Sequence, residues 1–275
     1  MAAASRRLAD AGIPQVEADL DARLLAEFVL GWSTERYFAD SRSIVPTGFD
    51  ESFDAFVERR AAHEPYAYIV GREEFWGLQF EVTPDVLIPR PETEFIVEAA
   101  LQQLPADRAA SIADVGTGSG CLAVAIARER PAASIVATDI SDAALAVARR
   151  NAERHRTIER IRFVHGDLLD GVDGPFDLIA SNPPYVPERD RAGLQPEVHR
   201  EPDAALYAGA DGLDVIRRLL PQAAARLRSG GVLLFEFGFG QADAVAGLIS
   251  STAGLTMIEL RRDLQGIPRI AIARR

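Results

Sequence analysis

Lysine does not occur in this chain of 275 residues, and apart from four histidines every basic side chain is arginine. That bias carries no mechanism by itself, although arginine suits planar anion contacts better than lysine does. Cysteine is almost missing. The single Cys121 excludes an internal disulfide framework and fits a reducing compartment. Apolar runs of about 18 residues are absent, so no membrane span is expected. Met1–Asp10 holds arginines but no apolar core of the secretory-signal type, and a cytoplasmic location is the expectation. Positive charge is in short supply. The formal net charge of −11 argues against a protein that coats nucleic acid, while permitting a local basic patch. His63, His155, His165 and His199 lie scattered, without metal-ligand spacing, and no metal centre is expected. There is no internal repeat and no low-complexity tract.

What is present is enough apolar material, 48% of the residues, for one large domain or two smaller ones. Up to about Ala62 the pattern is helical. Ala18, Leu20, Leu24, Leu25, Phe28 and Val29 recur at mostly helical spacing before Gly31. A second amphipathic segment sets Phe49, Phe53, Phe56 and Val57 inward and Glu58, Arg59 and Arg60 toward water. The texture then changes. Phe75–Val82 reads as two short strands around a glycine turn, and Leu87–Glu94 as a stretch whose proline and acids open a helix running to about Leu104.

After Ala109 strands and helices alternate. Strands are expected at Ser111–Val115, Ser134–Thr138, Ile161–His165, Phe176–Ala180 and Val232–Phe237. Helices fall at Cys121–Arg130, Asp142–Arg154, Leu213–Leu227 and Ala242–Ser250. Such alternation calls for a parallel sheet covered on both faces. Thr256–Leu260 and Arg269–Ala273 read as a closing strand pair.

Two loops of this alternating part carry chemistry. Asp114-Val115-Gly116-Thr117-Gly118-Ser119-Gly120 follows a strand and precedes a helix, where glycine lets the backbone turn sharply and approach a ligand. Its spacing is Gly-x-Gly-x-Gly, not the Gly-x-Gly-x-x-Gly of dinucleotide folds. Asp139 ends the next strand, placed to accept hydrogen bonds from both ribose hydroxyls; the plainer reading is a cap for the following helix. Asp167, in His165-Gly166-Asp167-Leu168, is in line to reach an adenine amino group, with Leu168 packing on the ring.

The second loop is Ser181-Asn182-Pro183-Pro184-Tyr185, at the end of the apolar run Phe176–Ala180. The Asn182 side-chain oxygen and the Pro183 carbonyl suit a grip on the N–H groups of a planar nitrogen. They would orient it and stabilise positive charge developing on it. Two prolines stiffen the loop, and Tyr185 offers a flat wall. The bland alternative is a strand ending in a Pro-Pro turn. Taken with the glycine loop and Asp139, the segment reads as methyl transfer from S-adenosylmethionine to an amide or exocyclic amino nitrogen. Cys121, at a helix start, reads as a small packing residue, a lowered thiol pKa being the alternative.

Over nearly its full length the chain resembles the bacterial peptide chain release factor glutamine methyltransferases. The resemblance rests on the helical N-terminal part, Glu64–Gly71, Glu74–Phe80, Leu87–Glu94, the glycine loop, Asp139-Ile140-Ser141 and Asn182–Tyr185. It continues in Glu201–Leu206, Ala208–Asp214, Glu236-Phe237-Gly238, and Asp263 with Gly266 and Arg269. It implies an α/β fold: a Rossmann-like, seven-stranded S-adenosylmethionine-dependent methyltransferase domain preceded by a small helical-bundle domain. The division expected is 1–72 helical and substrate-recognising, 73–90 a β-hairpin linker, and 91–275 the methyltransferase domain.

Cofactor contacts are implied at Gly116, Thr117, Gly118, Ser119, Gly120, Asp139, Ile140, Asp167, Leu168 and Asn182. The glutamine would meet Asn182, Pro183, Pro184 and Tyr185, with Asn182, Pro183 and Tyr185 catalytic. Leu168 stands where some members carry an aromatic residue beside the adenine. The implied partner is a class 1 release factor, methylated on the glutamine of its Gly-Gly-Gln motif by a monomer needing neither nucleic acid nor membrane. A related family acts on a large-subunit ribosomal protein, but its Pro-Arg segment usually continues with serine, whereas here Pro89-Arg90-Pro91-Glu92-Thr93-Glu94 sides with the release-factor group. Asn-Pro-Pro-Tyr also occurs in amino-methyltransferases of nucleic-acid bases.

Overall fold

The computed structural model of the chain describes residues 1–40 and 46–275; the helical expectation for 41–45 lies outside the described residues. Its contacts divide it into two units, 1–71 with 195–200, and 72–194 with 201–275. This differs from a linear division at 72 and 90 in two ways. A short segment far along the chain belongs with the N-terminal helices, and the hairpin belongs with the larger unit.

The first unit contains α1 (Ala2–Asp10), α2 (Gln15–Leu30), α3 (Thr34–Asp40), α4 (Phe49–Ala61) and α5 (Tyr66–Val70). Gly31, at φ 61°, ends α2 in the left-handed conformation that only glycine adopts cheaply. Leu8, Ala18, Ala22, Leu25, Phe53 and Val57 form the core of this unit. Two expectations change here. Leu20 is exposed because the inward stripe of α2 runs through Ala18, Asp21, Ala22 and Leu25. Arg60, expected on the wet face of α4, is only 2% exposed. Its guanidinium donates to Asp21 at 2.6 Å, Glu197 at 2.7 Å and Glu17 at 3.3 Å. Burying a charge is tolerable only with such compensation, and Glu197 comes from the 195–200 segment.

The second unit begins with a hairpin of β1 (Arg72–Phe75) and β2 (Leu78–Glu81). Its two turn residues, Trp76 at φ 54° and Gly77 at φ 67°, are both left-handed, as a tight two-residue hairpin turn requires. Phe75 and Phe80, edge to face at 6.1 Å, join the core formed with Ile96, Leu122 and Ile126. The hairpin is therefore anchored in the core of the larger unit.

A one-turn helix over Pro91–Thr93 leads into α6 (Glu94–Gln103). Alternation follows: β3 (Ser111–Val115), α7 (Cys121–Glu129), β4 (Ser134–Asp139), α8 (Asp142–Arg154), β5 (Ile161–His165) and β6 (Phe176–Ser181). Beyond them lie α9 (Asp203–Leu206), α10 (Asp214–Arg226), β7 (Leu227–Glu236), α11 (Ala242–Ser251), β8 (Thr256–Arg262) and β9 (Pro268–Arg274). Seven of the described strands form one sheet in the order β5-β4-β3-β6-β7-β9-β8. β9 runs antiparallel between β7 and β8, and the other ladders are parallel. One apolar layer lies on each face, around Leu122, Ile126 and Ile135 on one side and Ile216, Leu219 and Leu220 on the other. The strand order reverses between β3 and β6, and the carboxyl ends of strands at such a reversal form a ligand crevice. No helix among the described residues is long and apolar enough to cross a membrane.

Candidate active site

Val115 and Ser181 are register partners on β3 and β6, so the glycine loop and the Asn-Pro-Pro-Tyr loop leave the sheet side by side. Gly118 sits at φ 54°, and its N–H donates to Asp139 Oδ2 at 2.9 Å. Gly120, at φ 81°, lets α7 approach α8 so closely that a Cβ there would stand 3.1 Å from the Ala148 Cβ. Below the loop, fully buried Asp114 accepts from the Thr117 hydroxyl at 2.6 Å and the Ala123 N–H at 3.1 Å. Burial, aided by the charge of Asp139, raises its pKa to about 6.

Asp139 uses one oxygen for Gly118 and the other for the Ser141 N–H, at 2.9 Å each. Each carboxylate oxygen keeps a further lone pair. Burial pushes this carboxyl upward, and three backbone N–H groups oppose the shift. The capping role that competed for Asp139 is filled by Ser141, whose Oγ accepts the Ala144 N–H at 3.1 Å.

These elements enclose a cavity of about 330 Å³, within the range typical of small-molecule sites. Its wall brings together Gly116, Thr117, Gly118, Ser119, Asp139, Ile140, Asp167, Leu168, Asn182 and Pro184. Gly120, Pro183 and Tyr185 are not part of that wall. Asp167 is held by Arg218, which leaves its second oxygen for a ligand. Leu168 takes a left-handed backbone, φ 55°. Cys121 is a packing residue: burial, with help from Asp114, pushes its thiol up to about 12.

Two residues that sequence reasoning did not single out complete the site. The Asn182 Nδ2 donates to Thr93 Oγ1 at 2.9 Å, and Thr93 Oγ1 donates to Glu236 Oε2 at 2.8 Å. The Tyr185 hydroxyl donates to Glu236 Oε1 at 2.9 Å. Glu236 closes β7 at 2% exposure; burial raises its pKa, and the two hydroxyl donors oppose that. Burial and the nearby Glu236 drive the Tyr185 phenol well above its ordinary value. In the sequence Thr93 and Glu236 stand only within segments that carry the family resemblance, Leu87–Glu94 and Glu236-Phe237-Gly238, with no role attached to either. The supports are fixed in turn. Glu201 accepts from the Ile88 N–H at 3.0 Å and pairs with Arg90. Gln241 Nε2 donates to the Tyr185 carbonyl at 3.0 Å.

Residues 1–71 match a family model described as the PrmC N-terminal domain, and residues 94–201 match the Methyltransferase small domain. A protein of Coxiella burnetii named release factor glutamine methyltransferase is 46% identical, over 93% of this chain and 91% of its own length. One of the same name from Deinococcus radiodurans is 43% identical, over 99% and 96%. The fold resembles the crystal structure of a methyltransferase from Pyrococcus furiosus, with a TM-score of 0.53 at 20% identity, covering 72% of this chain and 89% of that one. Relatives this similar, matched almost end to end, place the chain in the family of release factor glutamine methyltransferases, with S-adenosylmethionine as its methyl donor.

Proposed function

We propose that the enzyme methylates the side-chain amide nitrogen of the glutamine in the Gly-Gly-Gln motif of class 1 release factors, and that Asn182 and the Pro183 carbonyl grip that amide. The observation that carries the assignment of Asn182 is the direction of its own amide. Its nitrogen end is committed to Thr93, which leaves Oδ1 as the acceptor in the cavity wall.

The site fits the cofactor chemically. Asp139 retains acceptor capacity for two ribose hydroxyls, the glycines of the loop let the backbone approach a ligand, and Asp167 in the cavity wall has one oxygen that Arg218 does not take. Bound there, S-adenosylmethionine supplies an electrophilic methyl group on a positively charged sulfur. The work of the protein is orientation. An amide nitrogen is a poor nucleophile because its lone pair is shared with its carbonyl. Asn182 Oδ1 and the Pro183 carbonyl, each accepting one N–H, would fix the orientation of that nitrogen and of its lone pair. The same two oxygens stabilise positive charge as it grows on nitrogen. No strong base is needed, because the methylated amide releases its proton readily once charged. The helical unit is assigned to gripping the release factor, and the enzyme to a cytoplasmic monomer without nucleic-acid contact.

The test is methyl transfer from labelled S-adenosylmethionine to purified release factor, with a Gln-to-Ala change in the Gly-Gly-Gln loop as control. Label on the wild-type factor that vanishes with the control supports the reading. Label that persists in the control, or none at all with cofactor binding intact, overturns it in favour of another glutamine or a ribosomal protein.

A further inference from the structure

We infer that Glu236, acting through Thr93, is a positioning residue that decides which end of the Asn182 amide faces the substrate nitrogen. The inference rests on the assignment of Asn182 as the grip on the glutamine amide.

An asparagine side chain is nearly symmetric in shape and opposite in chemistry at its two ends, so something must choose between them. Here the choice comes from counting hydrogens. Ionised Glu236 can only accept, and it faces two hydroxyls, Thr93 at 2.8 Å and Tyr185 at 2.9 Å. Each hydroxyl owns one hydrogen, and both are given to the carboxylate. Thr93 then has only lone pairs to offer Asn182, at 2.9 Å, so Asn182 must turn its N–H toward Thr93. The oxygen end is thereby left for the substrate. Water does not substitute in this chain, because Thr93 is 1% and Glu236 2% exposed.

A proton on Glu236 removes the constraint. The carboxylic acid has one hydrogen to donate, and if it goes to Thr93, the Thr93 hydrogen swings to Asn182. The amide then turns its oxygen inward and sets N–H against the N–H of the substrate, donor against donor. Glu236 is disposed to take that proton, since burial raises its pKa and Glu92, on the turn before α6, adds to the shift; Arg269 on β9 opposes it. Arg90 and Arg269 also act on the neighbouring Tyr185. Activity should be present above the raised pKa of Glu236 and lost as pH falls through it.

The test measures kcat, KM for release factor, and calorimetric S-adenosylmethionine affinity for the wild type, Thr93→Val, Thr93→Ser and Glu236→Gln, with pH profiles for the wild type and Glu236→Gln. Valine keeps the shape of threonine but ends the chain of hydrogens. It should lower kcat by roughly 10- to 100-fold, with cofactor affinity kept within about threefold, whereas serine should restore most of the turnover. Glutamine has no titrating proton, so the acid limb of the profile should disappear. A wild-type kcat in Thr93→Val, or an unchanged acid limb in Glu236→Gln, overturns the inference. So does equal loss of turnover and cofactor binding in Thr93→Val and Thr93→Ser, which marks a purely structural role. A wild type that does not methylate release factor removes instead the reading beneath it.

Discussion

The Ser181 hydroxyl donates to the Val115 carbonyl at 2.8 Å, across the same pair of strands in which the two residues are register partners. This side-chain bond continues the backbone ladder to the edge of the crevice. One residue beyond it on each strand the chemistry starts, with Gly116 on one side and Asn182 on the other. The two halves of the site are therefore set by a single ladder, and each can be perturbed separately.

Asn182→Ala removes the proposed amide acceptor while leaving the glycine loop and Asp139 in place. Turnover should fall on the order of 100- to 1,000-fold, the usual cost of losing one charge-stabilising contact in a closed site. Calorimetry should find S-adenosylmethionine affinity largely intact. Wild-type turnover would dismiss the assigned role.

Asp139→Ala deletes the acceptor for Gly118 and Ser141 together with the proposed ribose contact. Hydrogen bonds to a charged group contribute about 1.5–3 kcal/mol each, so cofactor affinity should weaken by roughly 10- to 100-fold or more. An unchanged dissociation constant by calorimetry contradicts the ribose contact.

Gly120→Ala places a Cβ 3.1 Å from Ala148 on a backbone at φ 81°. The left-handed conformation alone costs about 1–2 kcal/mol for a non-glycine residue, and α7 and α8 must also separate slightly. The melting temperature should drop by about 3–8 °C. A melt superimposable on the wild type would mean that the helices yield freely.

Asp114 supplies a pH test. Its pKa rises from 3.8 to about 6 on folding, so between those values the folded state binds more protons than the unfolded one. Stability therefore falls as pH rises through this window, by on the order of 3 kcal/mol. Asp114→Asn should not share that slope, and its stability relative to wild type should climb between about pH 4 and pH 6 in urea melts. Parallel curves for the two proteins would show that Asp114 is not the titrating group.

Where the chemistry is local, the sequence was readable. A glycine loop has to follow its strand directly, Asp139 ends the next strand, and the buried strands of the methyltransferase half stand out as short apolar runs between helical stretches. Reading stopped where partners are remote. Thr93 lies 89 residues from Asn182, and Glu236 lies 143 residues from Thr93. No periodicity links positions that far apart. Arg60 shows the same limit: a charge beside Glu58 and Arg59 reads as solvated until Glu197, 137 residues on, is seen to accept from it. Leu20 erred the other way, because Asp21 took its place on the inner stripe to serve Arg60.

The return of 195–200 to the N-terminal helices bears on how this gene can be cut and recombined. A fragment ending at Gly71 would carry a buried guanidinium stripped of one of its carboxylates, and the remainder would carry Glu197 with its arginine gone. Exchange of the helical unit between homologues must then transplant two discontinuous stretches together. A chimera joined only at residue 71 inherits a mismatch, and lineages that trade this module by simple fusion should be correspondingly rare.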